Sequence, residues 1–491
     1  MQLTSMPDIG QGTALALYAL CQAGLVAYSA HRWPMLAGVG VPATLEPWWR
    51  AGNEPSVLVQ LPVCDEPAVV ERLVAAAAAL DWPHERLEIQ LLDDSGDEAA
   101  AIGARAVARA RARGVVVRHV RRSKREGFKA GALAAGLASS DAAFVAVFDA
   151  DFLPDADFLR RTLPAFGEPR VGLVQARWGH LNRDANLLTR AQAAMLDAHF
   201  LVEHAWRQAR GRFLNFNGTA GIWRRACIDA AGGWSSDTLT EDLDLSYRAQ
   251  LAGWRFVFLP DVVVAAELPE HMAALRSQQH RWAKGAIQTA RKLLPRIARA
   301  ELPWSIRVEA CVHLTANITY PLLLALALLL APIVAARAGS ALAWLPALQL
   351  AVFAAGTLPV ALFLALGQRR AGRRGASLAL DTFAALLVSG GLCWHLARAV
   401  AEGMIGPRGE FVCTPKSGAL GPRAGAFRPP ALRVRRARGD GIPELALAAA
   451  FALTAALAAR TGRLSALPFL LVLATGLAWV GRATRERGAR P

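Results

Sequence analysis

Five apolar stretches, at 13–30, 312–336, 341–366, 442–459 and 464–481, are each long enough to cross a bilayer. They leave one long mixed stretch, 50–265, to fold in water. No other feature constrains the chain as much. In lipid the backbone must satisfy its own polar groups, so these stretches are expected to be helices. The whole chain has 491 residues, enough for two or three structural units. It is 54% hydrophobic and still carries a net charge of +16. A balance this basic suits either a nucleic-acid partner or the cytoplasmic loops of a membrane protein. No basic motif of a nucleic-acid module is present, so no nucleic acid is expected. The excess also favours an anionic ligand.

The six cysteines, Cys21, Cys64, Cys227, Cys311, Cys393 and Cys413, are scattered and include no C-x-x-C. That spacing argues against a disulfide framework or a thiolate metal site. The run at 13–30 has no Lys or Arg before it and no convincing cleavage site, so it reads as an anchor, not a secretory signal. Arg32 follows it, and Arg369-Arg370 and Arg373-Arg374 follow the third span. Positive charge marks the cytoplasmic side, which places 32–307 there. A further apolar stretch, 376–400, contains Asp381, Gly390-Gly391 and His395. If it crossed, the arginine-rich stretch 401–440 and the tail from Arg482 to Arg490 would lie outside. It is therefore expected as an amphipathic helix on the cytoplasmic interface. The expected layout is an N-terminal anchor (1–49), a cytoplasmic domain (50–265), interfacial helices (266–307), two spans (308–367), the interfacial helix (376–400), a loop (401–440), and two spans with a basic tail (441–491). Such a chain belongs in the cell membrane, inner membrane where there are two, as a multi-pass protein.

Within 50–265, short apolar strands alternate with helix-like stretches: PSVLVQLPV, EIQLLDD, GVVVRHV, AFVAVF and VGLVQARW are separated by segments near 66–80, 98–113, 128–138 and 155–165. This β-α alternation predicts a mainly parallel sheet with helices on both faces. Long helices at 186–210 and 240–252 follow, then strands at WRFVFL and VVVAAEL. The fold class is thus α/β joined to membrane α.

The strand AFVAVF stops in Asp149-Ala150-Asp151. Ligands collect at the C-terminal edge of an open parallel sheet, and hard divalent cations take carboxylate oxygens together with substrate phosphates. Asp149 and Asp151 are therefore candidate ligands for Mg²⁺ or Mn²⁺ on a diphosphate. Asp93 and Asp94 end an earlier strand, where an acid holds a ribose or base, or merely caps a turn. In Thr240-Glu241-Asp242, the threonine suits an N-cap and the acids suit a helix's first turn; Asp242 is also placed to serve as a general base. Gln278, Arg281 and Trp282 stand at i, i+3 and i+4, so they share one helix face. Arg281 suits a diphosphate and Trp282 a sugar ring, although a tryptophan beside a membrane is also an interfacial belt residue. Lys129, in Gly127-Phe128-Lys129-Ala130-Gly131, opens a helix among small residues and reads equally as a ligand contact or a solvated lysine. His180, His199, His204 and His280 show no metal-ligand spacing.

The ordered set D-D, D-A-D, T-E-D and Q-Q-H-R-W resembles the processive, inverting family-two glycosyltransferases of the cellulose-synthase type. The wording of Phe148 to Phe152, Val174 to Trp178, Phe216 to Gly221 and Gln278 to Trp282 is similar to the cellulose-synthase-like A and C groups. Those groups make mannan or glucomannan and the glucan backbone of xyloglucan. The resemblance covers roughly 55–290. It implies a nucleotide-binding GT-A-like sheet and a nucleotide-sugar donor such as GDP-mannose or UDP-glucose. It further implies a growing glycan as acceptor, with translocation through the bilayer. By resemblance, Glu66, Asp93, Asp94, Lys129 and Asp149 contact the donor, and Asp149 and Asp151 the metal. Asp242 is the base, and Glu241, Gln278, Arg281 and Trp282 line the acceptor and diphosphate site. Phe411, Thr414 and Lys416 match the family's gating loop, with Cys413 in place of its valine. Cys64-Asp65-Glu66 has Asp where the family often has Asn. Two other readings fit the same residues: a glycolipid synthase adding one sugar to a membrane lipid, and a non-catalytic transporter or nucleotide sensor.

Overall fold

The computed structural model describes residues 8–38, 46–335, 345–406, 409, 418 and 440–485. Its soluble core is a seven-stranded sheet: β1 (Val57–Val63), β2 (Leu87–Asp93), β3 (Val117–Arg121), β4 (Phe144–Val147), β5 (Val171–His180), β6 (Gly221–Arg224) and β7 (Arg255–Ala266). They lie in the order β3-β2-β1-β4-β6-β5-β7. The β1–β2, β2–β3, β1–β4 and β5–β7 pairs are parallel. β6 runs antiparallel to both β4 and β5. The central strands β1 and β4 are buried along almost their whole length, as the continuous apolar runs of a sheet covered on both faces require. Gln60 and Gln90 are buried polar residues in adjacent strands. Gln60 Nε2 donates to Gln90 Oε1 (3.4 Å) and to the Leu133 carbonyl (3.1 Å), so the pair is held inside the sheet–helix contact.

WRFVFL and VVVAAEL form one strand, β7, instead of two. Its register against β5 jumps between Ala176 and Arg177, across the stretch containing Pro260. A proline has no N–H for the ladder, and Arg177 Nε donates to the Pro260 carbonyl at 2.9 Å across the irregularity. The expected helix over 186–210 is also broken. It runs as Leu187–Ala198, a π-helical turn His199–His204, and Ala205–Ala209. Asn186 and Thr189 form a reciprocal capping box at its start.

Among the described residues, five helical stretches are long and apolar enough to cross a membrane: Gly12–Leu36, Trp304–Val334, Ala347–Arg370, Ile442–Arg460 and Leu464–Arg485. Residues 376–400 depart from the single interfacial helix expected. They fold as two helices, Gly375–Gly391 and Cys393–Ile405, bent by 52°. The first of the two is anchored by a pairing invisible in the sequence. Asp381 is fully buried and meets Arg183 Nη2 at 2.5 Å and Arg190 Nη2 at 2.7 Å, so its charge is compensated by the soluble domain. The helix Met272–Arg299, which carries Gln278 to Trp282, is tied to the C-terminal helices by Arg276, 3.0 Å from Glu444 Oε1.

Candidate active site

The C-terminal ends of β1, β2 and β4 open into one cleft together with the start of the helix Glu241–Leu251 and the face of Met272–Arg299. Glu66, Asp94, Lys129, Asp149, Asp151, Glu241, Asp242, Gln278, Arg281 and Trp282 all line it. Residues scattered over more than two hundred positions therefore share one space.

Each part is placed by local chemistry. Asp149 follows β4, and its N–H donates to Thr219 Oγ1 at 2.9 Å. Asp151 is 2% exposed, and its Oδ2 accepts from the Glu267 N–H at 3.2 Å. Lys129 enters from the helix Phe128–Leu137. Gly127 (φ +71°) and Phe128 (φ +51°) both adopt left-handed conformations there, and a Cβ on Gly131 would lie 2.0 Å from the Glu126 carbonyl oxygen. The small residues of the G-F-K-A-G run are what this tight turn demands. Lys129 Nζ donates to Asp149 Oδ1 (2.5 Å) and to the Gly218 carbonyl (2.8 Å), so it is a buried participant and not a solvated lysine.

Electrostatics single out Asp242. Burial, reinforced by the neighbouring Glu241 charge, raises its carboxyl to about 7, with Lys129 pulling the other way. Burial also raises Glu241, again opposed by Lys129. Burial lowers the Lys129 ammonium, but Asp149, Glu241 and Asp242 outweigh it and hold the group above its ordinary value. Gly218 (φ +83°) lets the backbone pass close to Asp242: a Cβ there would stand 2.9 Å from Asp242 Oδ2. Thr240 occupies the N-cap position, yet its hydroxyl makes no capping bond. It instead meets Thr289 Oγ1 at 3.2 Å, which joins the helix Glu241–Leu251 to Met272–Arg299.

The Asp93–Asp94 pair splits. Asp93 does not line the cleft: it turns inward, its Oδ2 facing His119 Nε2 at 2.8 Å and its Oδ1 accepting from the Ser95 N–H at 2.9 Å. Burial raises its carboxyl, but the His119 and Ser95 bonds outweigh this and keep it below the usual range. Asp94 lines the cleft and is held by Arg122, whose Nε donates to Oδ1 (3.0 Å) and Nη2 to Oδ2 (2.5 Å). Arg122 also donates to the Glu126 and Phe128 carbonyls, so one guanidinium fixes both Asp94 and the loop that delivers Lys129. Sequence reading passed over Arg122 because it sits in the run R-R-S-K-R, which looks like a solvated basic face. It also left Trp178 and Asn217 without roles, although both lie in the quoted motifs. Both line the cleft, and Trp178 faces Trp282 with ring centroids 6.5 Å apart. Phe411, Thr414 and Lys416 lie outside the described residues.

Among the described residues no group of three His, Cys, Asp or Glu side chains is arranged to hold a metal alone. Asp149 and Asp151 nonetheless fit a Mg²⁺-type ion, which typically takes one or two protein carboxylates and completes its shell with substrate phosphates and water.

Comparison with known proteins places these residues within a stretch that matches a described family. Residues 55–285 match the family model described as "Glycosyltransferase like family 2". Over 254 residues the chain is 45% identical to glucomannan 4-beta-mannosyltransferase 2 of Arabidopsis thaliana, an alignment that takes in 51% of this chain and 48% of that one. The chain thus matches about half the length of this curated relative. Among solved structures, the mannosyltransferase PcManGT from Pyrobaculum calidifontis, in complex with GDP-Man and Mn²⁺, superposes with a TM-score of 0.55. That likeness covers 80% of this chain and 99% of the other at 21% identity, and it speaks to the fold.

Proposed function

We propose that the chain is a membrane-bound, inverting family-two glycosyltransferase of the cellulose-synthase-like type, a reading supported by the family-model match over 55–285 and the 45% identity to a glucomannan mannosyltransferase. In this reading it polymerises a β-glycan, β-1,4-mannan or glucomannan or a β-glucan, from a nucleotide-sugar on the cytoplasmic face and translocates the product. The observation that carries the reading is the convergence of Asp242, Lys129, Asp149 and Asp151 in one cleft with Trp282.

Asp242 accepts the proton of the acceptor's terminal hydroxyl. The freed oxygen attacks the anomeric carbon from the face opposite the departing diphosphate, which inverts the configuration. A carboxylate raised to about 7 suits this task near neutral pH, since it is both ionised and basic enough to draw the proton. Lys129 and Arg281 supply fixed positive charge toward the leaving diphosphate. Mg²⁺ or Mn²⁺ on Asp149 and Asp151, when bound, supplies Lewis-acid neutralisation of that diphosphate. Trp178 and Trp282 give the acceptor side two aromatic faces, a wall that favours an oligosaccharide over a single sugar on a lipid.

The test is a donor screen on the full chain in membranes, with labelled GDP-mannose and UDP-glucose and digestion of the product by linkage-specific glycosidases. Release of β-linked oligosaccharides supports the reading. A lone sugar on lipid points to glycolipid synthesis, and no transfer from any donor contradicts it.

A further inference from the structure

A partly buried chain of polar contacts runs from the end of the first membrane helix to the cleft. His31 Nε2 meets Glu309 Oε2 at 2.5 Å, and Arg207, 1% exposed, pairs with both Glu309 (3.2 Å) and Glu203 Oε1 (2.7 Å). Glu203 Oε2 faces His199 Nδ1 at 3.0 Å, and His199 Nε2 faces Asn217 Oδ1 at 3.0 Å. Asn217 lines the cleft.

His199 opens the π-helical turn His199–His204. Such turns are rare and are found disproportionately at functional sites, because the extra residue re-aims side chains. Here a membrane-spanning helix braces the turn. Arg370 Nη1 donates to the Leu201 carbonyl at 2.5 Å, and Gly367 packs so tightly on Ala198 that a Cβ would lie 2.4 Å from its Cα.

The hydrogen bonding around Asn217 fixes the orientation of its side-chain amide. One end meets His199 Nε2 at 3.0 Å and the Asn215 amide at 2.9 Å. The Asn217 backbone N–H donates to Gln175 Oε1 at 3.0 Å. The other end stands 3.5 Å from His204 Nε2, too long for a strong bond, and that ring, held neutral by burial, reaches Asn215 at 3.2 Å. This second end of the amide is therefore the one that can turn to a ligand. The next residue, Gly218, bonds Lys129 through its carbonyl and borders Asp242, so this amide sits one peptide from the reacting centre.

We propose that His199 is a positioning residue: it fixes the Asn217 amide so that the amide's other end bonds one hydroxyl of the sugar beside Asp242, and through this contact the pair discriminates between hexose epimers. The proposal rests on the sugar-transfer reading of the cleft. A buried polar group built to bond a hydroxyl rejects a substrate that lacks it in that position, because the group is then left unpaired.

The experiment measures kcat/KM for the manno and gluco donors carrying the base the wild type prefers. It uses full-length protein in nanodiscs for wild type, His199→Ala, Asn217→Ala and the double variant. The expected result is a loss of epimer selectivity of about tenfold or more in each single variant. The double variant should be no worse than Asn217→Ala, since one residue acts through the other. His199→Gln, which keeps a donor, should recover part of the selectivity and serves where the alanine variant does not fold. Unchanged selectivity in the His199 variants, or losses that multiply in the double variant, overturns the role of His199 while leaving the transferase reading intact. A wild type that transfers no sugar overturns both.

Discussion

Lys129 Nζ lies 2.5 Å from Asp149 Oδ1, so the first acid of the D-A-D sequence is countered by a lysine delivered from a different helix. The same ammonium is the charge that most opposes protonation of Asp242. One cation therefore links Asp149 to Asp242, the proposed base.

Removing that cation shifts the base. In Lys129→Met, Asp242 loses its stabilising charge and its carboxyl rises further above 7, so a larger fraction is protonated at neutral pH. The acidic limb of the kcat/KM–pH profile is expected to move to higher pH, with activity partly recovered above pH 8. An acidic limb that stays in place contradicts this coupling.

Asp242 also makes a stability prediction opposite in sign to its catalytic one. Its folded carboxyl is raised from 3.8 to about 7. Below the unfolded value it is protonated in both states and costs nothing. Between 3.8 and about 7 the unfolded chain ionises while the folded carboxyl resists, so stability is lost over that window, and above it the folded state holds a charge that the unfolded chain solvates better. Asp242→Asn is therefore expected to raise the thermal midpoint at pH 8 and leave it nearly unchanged at pH 4. Thermal unfolding of the detergent-solubilised protein at the two pH values measures it.

Arg122 grips Asp94 with two parallel bonds and also holds the loop that presents Lys129. A lysine cannot reproduce a bidentate fork. Arg122→Lys should therefore weaken donor binding by about tenfold or more, the scale of losing one charge-assisted bond. Calorimetric titration with the donor nucleotide measures this.

The buried Asp381 predicts a large structural effect far from the chemistry. Asp381→Asn leaves Arg183 and Arg190 without their counter-charge, and breaking a buried pair in this way costs on the order of 3–5 kcal/mol. The thermal midpoint should fall markedly. Asp184→Asn is expected to be nearly silent, since that carboxylate, 65% exposed, also pairs with Arg183 but from solvent.

Most of the sheet was legible in the sequence, because continuous apolar runs ending in acids are what strands covered on both faces and open at one edge look like. β6 was not, since four residues, Gly221–Arg224, are too few to show a period. The burial of Asp381 within 376–400 was hidden for a different reason. Counting loop charges treats Asp381 as an uncompensated cost, and its partners Arg183 and Arg190 lie nearly two hundred residues away. At the site, the motifs named the right neighbourhood but not which member of a pair faces it. Successive strand residues point to opposite sides, and only the structure shows Asp94 outward and Asp93 against His119. Arg122 and His199 act by holding other residues, and such supporting contacts leave no local signature.

The account stands most directly on Asp242 as the base. Donor binding and sugar transfer should be measured together for wild type and Asp242→Asn in nanodiscs at pH 7.5. The expected result is donor affinity within a few-fold of wild type and transfer reduced by about 10²–10⁴. Transfer at the wild-type rate by Asp242→Asn would contradict the account.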